Sequence, residues 1–310
     1  MPEKRAKLTA RDLEILDFLW KWKGLTTGAM AVKFFGSSPV WAYNRLLFLQ
    51  KTGFIKQISI DETGKSFVWS LGARGFTQVQ KSLDLLREEG SSSESPYHDL
   101  VACSAQIGEW ILKIPDGVEV FSEQELRRFD RSFYPVWVPD ICGRRPDGFW
   151  KVPFGNTSLV FALEAELNQK GVNEYGPIAQ YYRDTPQIAR VFWITKTRSL
   201  ASKLQKIFQE TSPERYKRHD FILLDDFCRN GWESPIFLGW DQGKSFRYAL
   251  CAGQEPLIEV SLKSNKSFNA ASILDTRKCP FKTTSSNDQI RTSFFNGMAL
   301  RPYTAHSTSF

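Results

Sequence analysis

The segment LVFALEAELNQK, residues 159–170, constrains the fold of this chain more than any other. Successive side chains of a β-strand point to opposite faces, so Glu164 and Glu166 share one face and the residues between and beside them form an apolar face. Two neighbouring carboxylates repel each other, and burying either without a partner is costly or shifts its pKa. The segment therefore predicts a strand whose acidic face is neutralised, for example by a divalent cation held by oxygen ligands. A solvated sheet face is the alternative.

The length and composition indicate a globular protein with room for two domains. The chain has 310 residues, of which 42% are hydrophobic and 24 are phenylalanine, enough for a substantial core. No apolar run approaches the roughly 20 residues that cross a bilayer, and the first residues lack the apolar core of a secretory signal. The five cysteines are scattered without metal-ligand spacing. These features predict a cytoplasmic protein with reduced thiols and no membrane partner.

The net charge of +7 is unevenly distributed along the chain. Residues 1–90 carry 14 Lys and Arg against 9 Asp and Glu, and residues 261–310 carry 7 against 2, so the segment between them is net negative. Basic ends around an acidic centre favour a nucleic-acid partner held by the flanks and a metal held in the middle. An ordinary solubility charge would look similar.

The first ninety residues predict three helices, a hairpin and a fourth helix. Thr9 and Asp12 have the spacing of a capping box at the start of the first helix. The second helix lies in TTGAMAVKFF. The third begins after Ser38 with Pro39 in its first turn and stops at Gly53. The strands FIKQISI and SFVWSL flank the turn DETGK, and the last helix runs from residue 73 to about 89.

This order of elements is typical of a winged helix-turn-helix domain, which we predict for residues 1–90. In that arrangement the third helix enters the major groove of DNA and the hairpin touches the backbone. Protein contacts are the alternative use of such a domain. Residues 91–97, within a serine-rich stretch, predict a flexible linker. The predicted DNA contacts are Trp41, Tyr43, Asn44, Arg45 and Lys51 on the third helix and Lys65 in the turn of the hairpin.

Residues 98–260 predict an α/β domain with a mixed sheet flanked by helices. The patterns give a helix, three strands, a helix, a strand, a helix and a strand in that order. Residues 261–310 are polar and basic, which is typical of a weakly structured extension.

The motif Pro146-Asp147-Gly148, followed by Glu164-x-Glu166 and the nearby Lys170, resembles the PD-(D/E)xK restriction-endonuclease-like superfamily. With a winged helix in front, residues 8–230 resemble the relaxases of the mobilisation-protein C class and the replication-relaxation family. This resemblance implies a Mg²⁺- or Mn²⁺-dependent nuclease with Asp147 and Glu164 as metal ligands. Glu166, which stands where the superfamily usually has lysine, would be a third carboxylate ligand. Lys170 would supply the missing positive charge if the strand extends that far.

The resemblance also implies further site residues. Glu109 on the first helix of the α/β domain would be another acidic ligand. Gln180 and Tyr181 lie on the helix after the acidic strand, where phosphate contacts are common, although Tyr181 could simply pack. Arg144 and Arg145 could hold the DNA backbone near the metal; a solvated loop is the alternative.

The expected function is that of a relaxase, an endonuclease that nicks DNA at a plasmid origin of transfer to initiate mobilisation. Its partners would be double-stranded origin DNA, the single-stranded product and an accessory mobilisation protein. A transposon- or repair-type endonuclease and a non-catalytic DNA-binding accessory protein are the alternatives. The chain has no GxSxG, Walker or GxGxxG motif, and its three histidines make no clustered metal motif in the sequence.

Overall fold

The computed structural model of the chain describes residues 7–60, 67–82, 95–107, 117–140 and 144–251. Lys65, Glu109 and the predicted C-terminal extension lie outside these ranges. The N-terminal elements follow the predicted order, and their assignment to a DNA-binding winged helix stays a prediction. They are α1 (Ala10–Trp22), α2 (Thr27–Phe34), α3 (Pro39–Lys51), β1 (Ile55–Ser59), β2 (Phe67–Leu71) and α4 (Ala73–Ser82).

Asp12 both caps α1 and ties it to α3. Its backbone amide donates to the Thr9 hydroxyl, and its carboxylate accepts the Thr9 amide at 2.7 Å. Arg45 on α3 donates to both oxygens of the same carboxylate, with 2.8 Å between Nε and Oδ1. Burial alone would raise the pKa of Asp12, but the hydrogen bonds from Arg45 and Thr9 outweigh it and lower the pKa. One buried carboxylate therefore fixes the packing of two helices.

Replacing Asp12 by alanine is expected to lower the free energy of unfolding by about 3 kcal/mol, because Arg45 then loses its buried partner and α1 loses its cap. Urea denaturation measures the change. Glu14→Gln, at an exposed position of the same helix, is the control and should stay within about 0.5 kcal/mol of the parent protein. Equal effects of the two substitutions would contradict this role of Asp12.

The second group of elements is the α/β unit. Its α5 begins at Pro96, so the last two residues of the predicted linker are helical instead. Four short elements are absent from the sequence prediction, namely the helices Glu123–Arg128, Leu224–Asn230 and Phe246–Leu250 and the strand Ile236–Leu238. The elements are α5 (Pro96–Ile107), β3 (Glu119–Ser122), α6 (Glu123–Arg128), β4 (Gly148–Phe154), β5 (Thr157–Glu166), α7 (Val172–Asp184), β6 (Ile188–Thr195), α8 (Arg198–Thr211), β7 (His219–Leu223), α9 (Leu224–Asn230), β8 (Ile236–Leu238) and α10 (Phe246–Leu250).

These strands form one six-stranded mixed sheet in the order β3-β4-β5-β6-β7-β8. The central strands β5, β6 and β7 are parallel, and the outer pairs are antiparallel. Helices α5, α9 and α10 pack on the face that contains Phe161 and Leu163. Helices α7 and α8 pack on the opposite face, which contains Ala162. The mixed α/β sheet flanked by helices is therefore confirmed, and the alternation along β5 places Glu164 and Glu166 on the α7 side.

The C-terminal end of α1 joins the N-terminal elements to the α/β unit. The amine of Lys21 lies 3.0 Å from a carboxylate oxygen of Glu125 on α6. The amine of Lys23 contacts both Asp99 on α5 and Glu123 on α6. The ring of Trp20 packs against Phe129, with 5.4 Å between the ring centroids. The two units are thus held together by two lysines and an aromatic contact.

In the described ranges no helix combines the length and apolarity needed to span a bilayer. The cysteines of those ranges, Cys103, Cys228 and Cys251, are free thiols.

Candidate active site

Three buried carboxylates meet where β4 and β5 pair. Asp147 directly precedes β4, and its backbone amide donates to the Leu163 carbonyl on β5 at 3.0 Å. Its carboxylate oxygen Oδ2 accepts the backbone amide of Ala165 at 2.6 Å. Glu164 and Glu166 lie on β5 itself and, like Asp147, are at most 9% exposed. The pairing of β4 with β5 therefore brings together the three acids that the sequence predicts as a set.

Each of the three carboxylates has a cationic partner, and the partners of Asp147 and Glu164 come from other parts of the chain. Glu164 accepts a hydrogen bond of 2.6 Å from the Tyr182 hydroxyl and one of 3.2 Å from the Arg144 guanidinium. Glu166 accepts a hydrogen bond of 2.7 Å from the Lys170 amine. These side chains supply part of the neutralisation that the buried acids require.

His98 is the cationic partner of Asp147. Its Nε2 lies 3.5 Å from Oδ2 of Asp147, and its Nδ1 lies 3.8 Å from a carboxylate oxygen of Asp99. Burial by itself would lower the pKa of His98, but the charges of Asp147 and Asp99 outweigh burial and raise the pKa to about 11. The imidazole is therefore positively charged at neutral pH and bridges two carboxylates.

The environments of Asp147 and Glu164 move their pKa values in opposite directions. Burial raises the pKa of Glu164 to about 7, and the negative charge of Asp147 adds to this effect against the opposing charge of Arg144. Burial would also raise the pKa of Asp147, but His98 and the Ala165 amide outweigh it and lower the pKa. Burial raises the pKa of Glu166 as well, with Lys170 opposing. Since Asp147 raises the pKa of both glutamates, the three groups interact electrostatically.

Lys170 reaches the site by a route other than the extended strand on which its predicted role was conditional. The strand does not extend to Lys170, because β5 ends at Glu166 and the chain then turns toward α7. The backbone amide of Lys170 donates to the Tyr175 hydroxyl at 2.8 Å, which holds the loop against α7. The Lys170 amine nevertheless pairs with the Glu166 carboxylate. The positive charge is therefore present at the site, but it comes from a loop.

The donor set is chemically suited to a hard divalent cation. Among the described residues, no group of three or more His, Cys, Asp or Glu side chains has the spacing to hold a metal. Mg²⁺, however, is typically bound by one or two carboxylates together with waters and substrate phosphates. In the described ranges, Oδ1 of Asp147 and Oε1 of Glu166 make no hydrogen bond. The buried hydroxyl of Thr195, beside Glu166 on β6, also has no hydrogen-bond partner there.

The residues predicted to contact DNA from α3 occupy different environments. Trp41 is 71% exposed, and Asn44 and Lys51 are also exposed. Tyr43 is half-buried and packs against Trp69. Arg45 differs from the prediction, because its guanidinium is engaged by the buried carboxylate of Asp12 and does not project freely from the helix. The exposed part of α3 is therefore smaller than predicted.

The residues predicted to hold the DNA backbone near the metal also divide into two groups. Arg145 and Gln180 are exposed, whereas Arg144 is directed at Glu164 and Tyr181 is largely buried. An open groove of about 520 Å³ runs along α7 beside Arg144, with Gln180 and Tyr181 in its lining. Arg144, Gln180 and Tyr181 thus share one groove next to the acidic cluster.

Sequence reasoning missed His98 and Tyr182. Neither residue stands in a recognisable motif with the three acids, and only the packing of α5 and α7 on the sheet brings them to the cluster. The one available signal was a predicted pair of buried acids with too few cations in its own segment. That signal did not indicate which distant residues would neutralise the acids.

The fold and the site together define an α/β protein with a buried cluster of three carboxylates at the β4–β5 pair. No protein-family model, no curated protein and no solved structure matches the chain. A function for this protein therefore has to be inferred from the geometry and chemistry of its own residues.

Proposed function

We propose that this protein is a divalent-metal-dependent endonuclease that nicks DNA, and specifically a relaxase that acts at a plasmid origin of transfer. The observation that carries the proposal is the cluster of Asp147, Glu164 and Glu166, three buried carboxylates with Arg144 and Lys170 beside them. Buried carboxylates that shift one another's pKa are more typical of functional sites than of sheet surfaces. The resemblance of the motifs to the PD-(D/E)xK superfamily points to the same chemistry.

Hydrolysis of a phosphodiester requires an activated water and stabilisation of the charge that develops on the phosphate. A Mg²⁺ or Mn²⁺ ion held by one or two of the carboxylates of Asp147, Glu164 and Glu166, together with water and substrate phosphate, would supply both. It would do so by acidifying bound water and by Lewis-acid contact with phosphate oxygens. Arg144 and Lys170 would hold the negatively charged phosphate beside the carboxylates. Tyr182 would orient the Glu164 carboxylate, to which its hydroxyl donates.

Recognition of the DNA is assigned to the N-terminal elements. In this proposal α3 is the helix that enters the major groove, with Trp41, Asn44 and Lys51 on its exposed side. A lysine would contact phosphate, whereas the asparagine amide is suited to reading an adenine edge. The groove along α7 would receive the DNA backbone next to the carboxylates.

The first test is a nicking assay on supercoiled plasmid that carries the protein's own neighbouring DNA. We expect conversion to open circles with Mg²⁺ or Mn²⁺ and none with EDTA. Mn²⁺ should also raise the melting temperature in a concentration-dependent way, because a ligand that binds only the folded state stabilises it. Nicking of plasmids that lack the neighbouring DNA at the same rate would favour a transposon- or repair-type endonuclease.

A second candidate is a non-catalytic DNA-binding accessory protein. It is supported by the pairing of each carboxylate with a cation from the chain itself, which lets the cluster be buried without a metal. This candidate predicts sequence-selective DNA binding, no nicking and no effect of Mn²⁺ on the melting temperature. That combination of results would replace the endonuclease proposal.

A further inference from the structure

A continuous series of ion pairs runs from the N-terminal elements to the Asp147 carboxylate. The amine of Lys23, at the end of α1, lies 2.9 Å from Oδ1 of Asp99. The same oxygen lies 3.8 Å from Nδ1 of His98, whose Nε2 lies 3.5 Å from Oδ2 of Asp147. All four side chains are largely enclosed, with exposed fractions between 8% and 29%. Ion pairs in such surroundings interact more strongly than they would at the surface.

A second connection reaches Asp147 from the same lysine. Lys23 also binds the Glu123 carboxylate, and the backbone amide of Glu123 donates to the Asp147 carbonyl at 3.2 Å. Lys23 therefore contacts Glu123, which holds the Asp147 backbone. It also contacts Asp99, which lies beside the His98 ring that holds the Asp147 side chain. The charge of Lys23 also contributes to the lowered pKa of Asp147.

The Asp147 carboxylate is held at one oxygen. Oδ2 lies within reach of both His98 and the Ala165 amide, so these two donors define the direction in which Oδ1 points. If Lys23 were removed, Asp99 would lose the amine that lies 2.9 Å from its Oδ1 and would compete more strongly with Asp147 for His98. The interaction of His98 with Oδ2 of Asp147 would then weaken, and the orientation of the Asp147 carboxylate would become less defined.

We propose that Lys23, Asp99 and His98 are positioning residues that couple the docking of the N-terminal elements on the α/β unit to the orientation of the Asp147 carboxylate. Displacement of α1 would loosen this carboxylate, and correct docking would orient it. The consequence for DNA nicking rests on the proposed function. The coupling between Lys23 and Asp147 does not, since it is a property of the folded protein alone.

The chain offers a matched control for Lys23. Lys21 belongs to the same end of α1 and also bridges to the α/β unit, through Glu125 on α6. Its amine additionally lies over the Trp22 ring. Among the described residues, its ion pairing does not extend to His98 or Asp147. Lys21→Met and Lys23→Met each remove a lysine that joins the two units, but only the second interrupts the series.

The decisive experiment is a pair of double-mutant cycles measured by thermal unfolding without DNA or metal. One cycle combines Lys23→Met with Asp147→Asn, and the other combines Lys21→Met with Asp147→Asn. We expect the losses in melting temperature to be non-additive by about 2–4 °C in the Lys23 cycle and additive in the Lys21 cycle. Introducing His98→Asn should abolish the non-additivity. A Lys23 cycle as additive as the Lys21 cycle would overturn the inference.

Nicking kinetics test the consequence for the site. Lys23→Met is expected to lower the maximal nicking rate about 10-fold while the DNA concentration at half-maximal rate stays within about 2-fold. Lys23→Arg should recover most of the rate, and Lys21→Met should not change it. Equal slowing by Lys21→Met and Lys23→Met would refute a positioning role. If the parent protein does not nick DNA at all, the proposed function fails, and the thermal cycles still decide whether Lys23 and Asp147 are coupled.

Discussion

Replacing Asp147 by asparagine is expected to lower the rate of metal-dependent nicking about 100- to 1,000-fold. The asparagine side chain has nearly the same shape, and its oxygen can still accept the Ala165 amide. It lacks the negative charge that would bind the metal and that pairs with His98. Glu164→Gln should cause a loss of similar size. Initial rates on supercoiled plasmid in Mg²⁺ measure both variants.

Glu119→Gln is the matched control for these two substitutions. Glu119 is a carboxylate of the same sheet, but it is exposed on β3 and pairs with Lys151 at the far end of that strand. Its replacement should leave the nicking rate within about 2-fold of the parent rate. Near-parental nicking by Asp147→Asn would remove Asp147 from the active site, and equal losses in all three variants would point to a general effect on folding.

Replacing Gly148 by alanine is expected to lower the free energy of unfolding by about 2 kcal/mol. A Cβ atom at position 148 would lie 1.2 Å from Nε2 of Gln106 and 2.2 Å from its Cδ. Gln106 is 1% exposed, so its side chain has little space to move. Its carbonyl also accepts the Trp150 indole at 2.9 Å, which ties α5 to β4 at this point. Urea denaturation measures the loss.

Two further variants show whether Gln106 is the cause. Gly176 lies inside α7 with no atom within 4 Å of an added Cβ, so Gly176→Ala should be neutral or stabilise the protein by up to about 1 kcal/mol. Adding Gln106→Ala to Gly148→Ala should recover part of the lost stability, since it empties the space that the new methyl group needs. No recovery would mean that a contact other than Gln106 requires glycine at this position.

The close approach of Gly148 to Gln106 explains why the Pro-Asp-Gly motif has a glycine at this position. By sequence pattern alone, Asp147 and Gly148 could be ordinary turn residues, because aspartate and glycine are common in turns. In the folded protein Gly148 is the first residue of β4, and the backbone there passes directly beneath a buried glutamine. The pairing of β4 with β5 then places Asp147 against Ala165.

Local sequence patterns predict a structural feature correctly where the physical cause of that feature lies within a few residues of the chain. The capping box of Thr9 and Asp12 acts over three residues, and the alternation along β5 depends only on the geometry of a strand. The sequence predicts both features, and both are present. The shared burial of Asp147, Glu164 and Glu166 follows from the order of the strands, because an antiparallel neighbour brings the residue before β4 beside β5.

Ion-pair partners that lie far apart in the sequence cannot be predicted from local patterns. Arg45 is predicted on the DNA-facing side of α3, but it pairs with Asp12, which is 33 residues away and inside the core. Lys23 pairs with Asp99 across 76 residues. An arginine or a lysine has the same local pattern whether it faces solvent or a buried acid, so the pattern does not distinguish the two.

The sequence by itself therefore determined the mixed α/β sheet, the acidic face of β5 and the three carboxylates that belong together. Only the tertiary structure decided that Arg144 pairs with Glu164, that His98 bridges Asp147 and Asp99, and that Lys23 joins the first helix to this cluster. The physical reason is that secondary structure follows from short-range periodicity, whereas each buried charge is satisfied by whichever opposite charge the packing of helices on the sheet brings within a few ångströms.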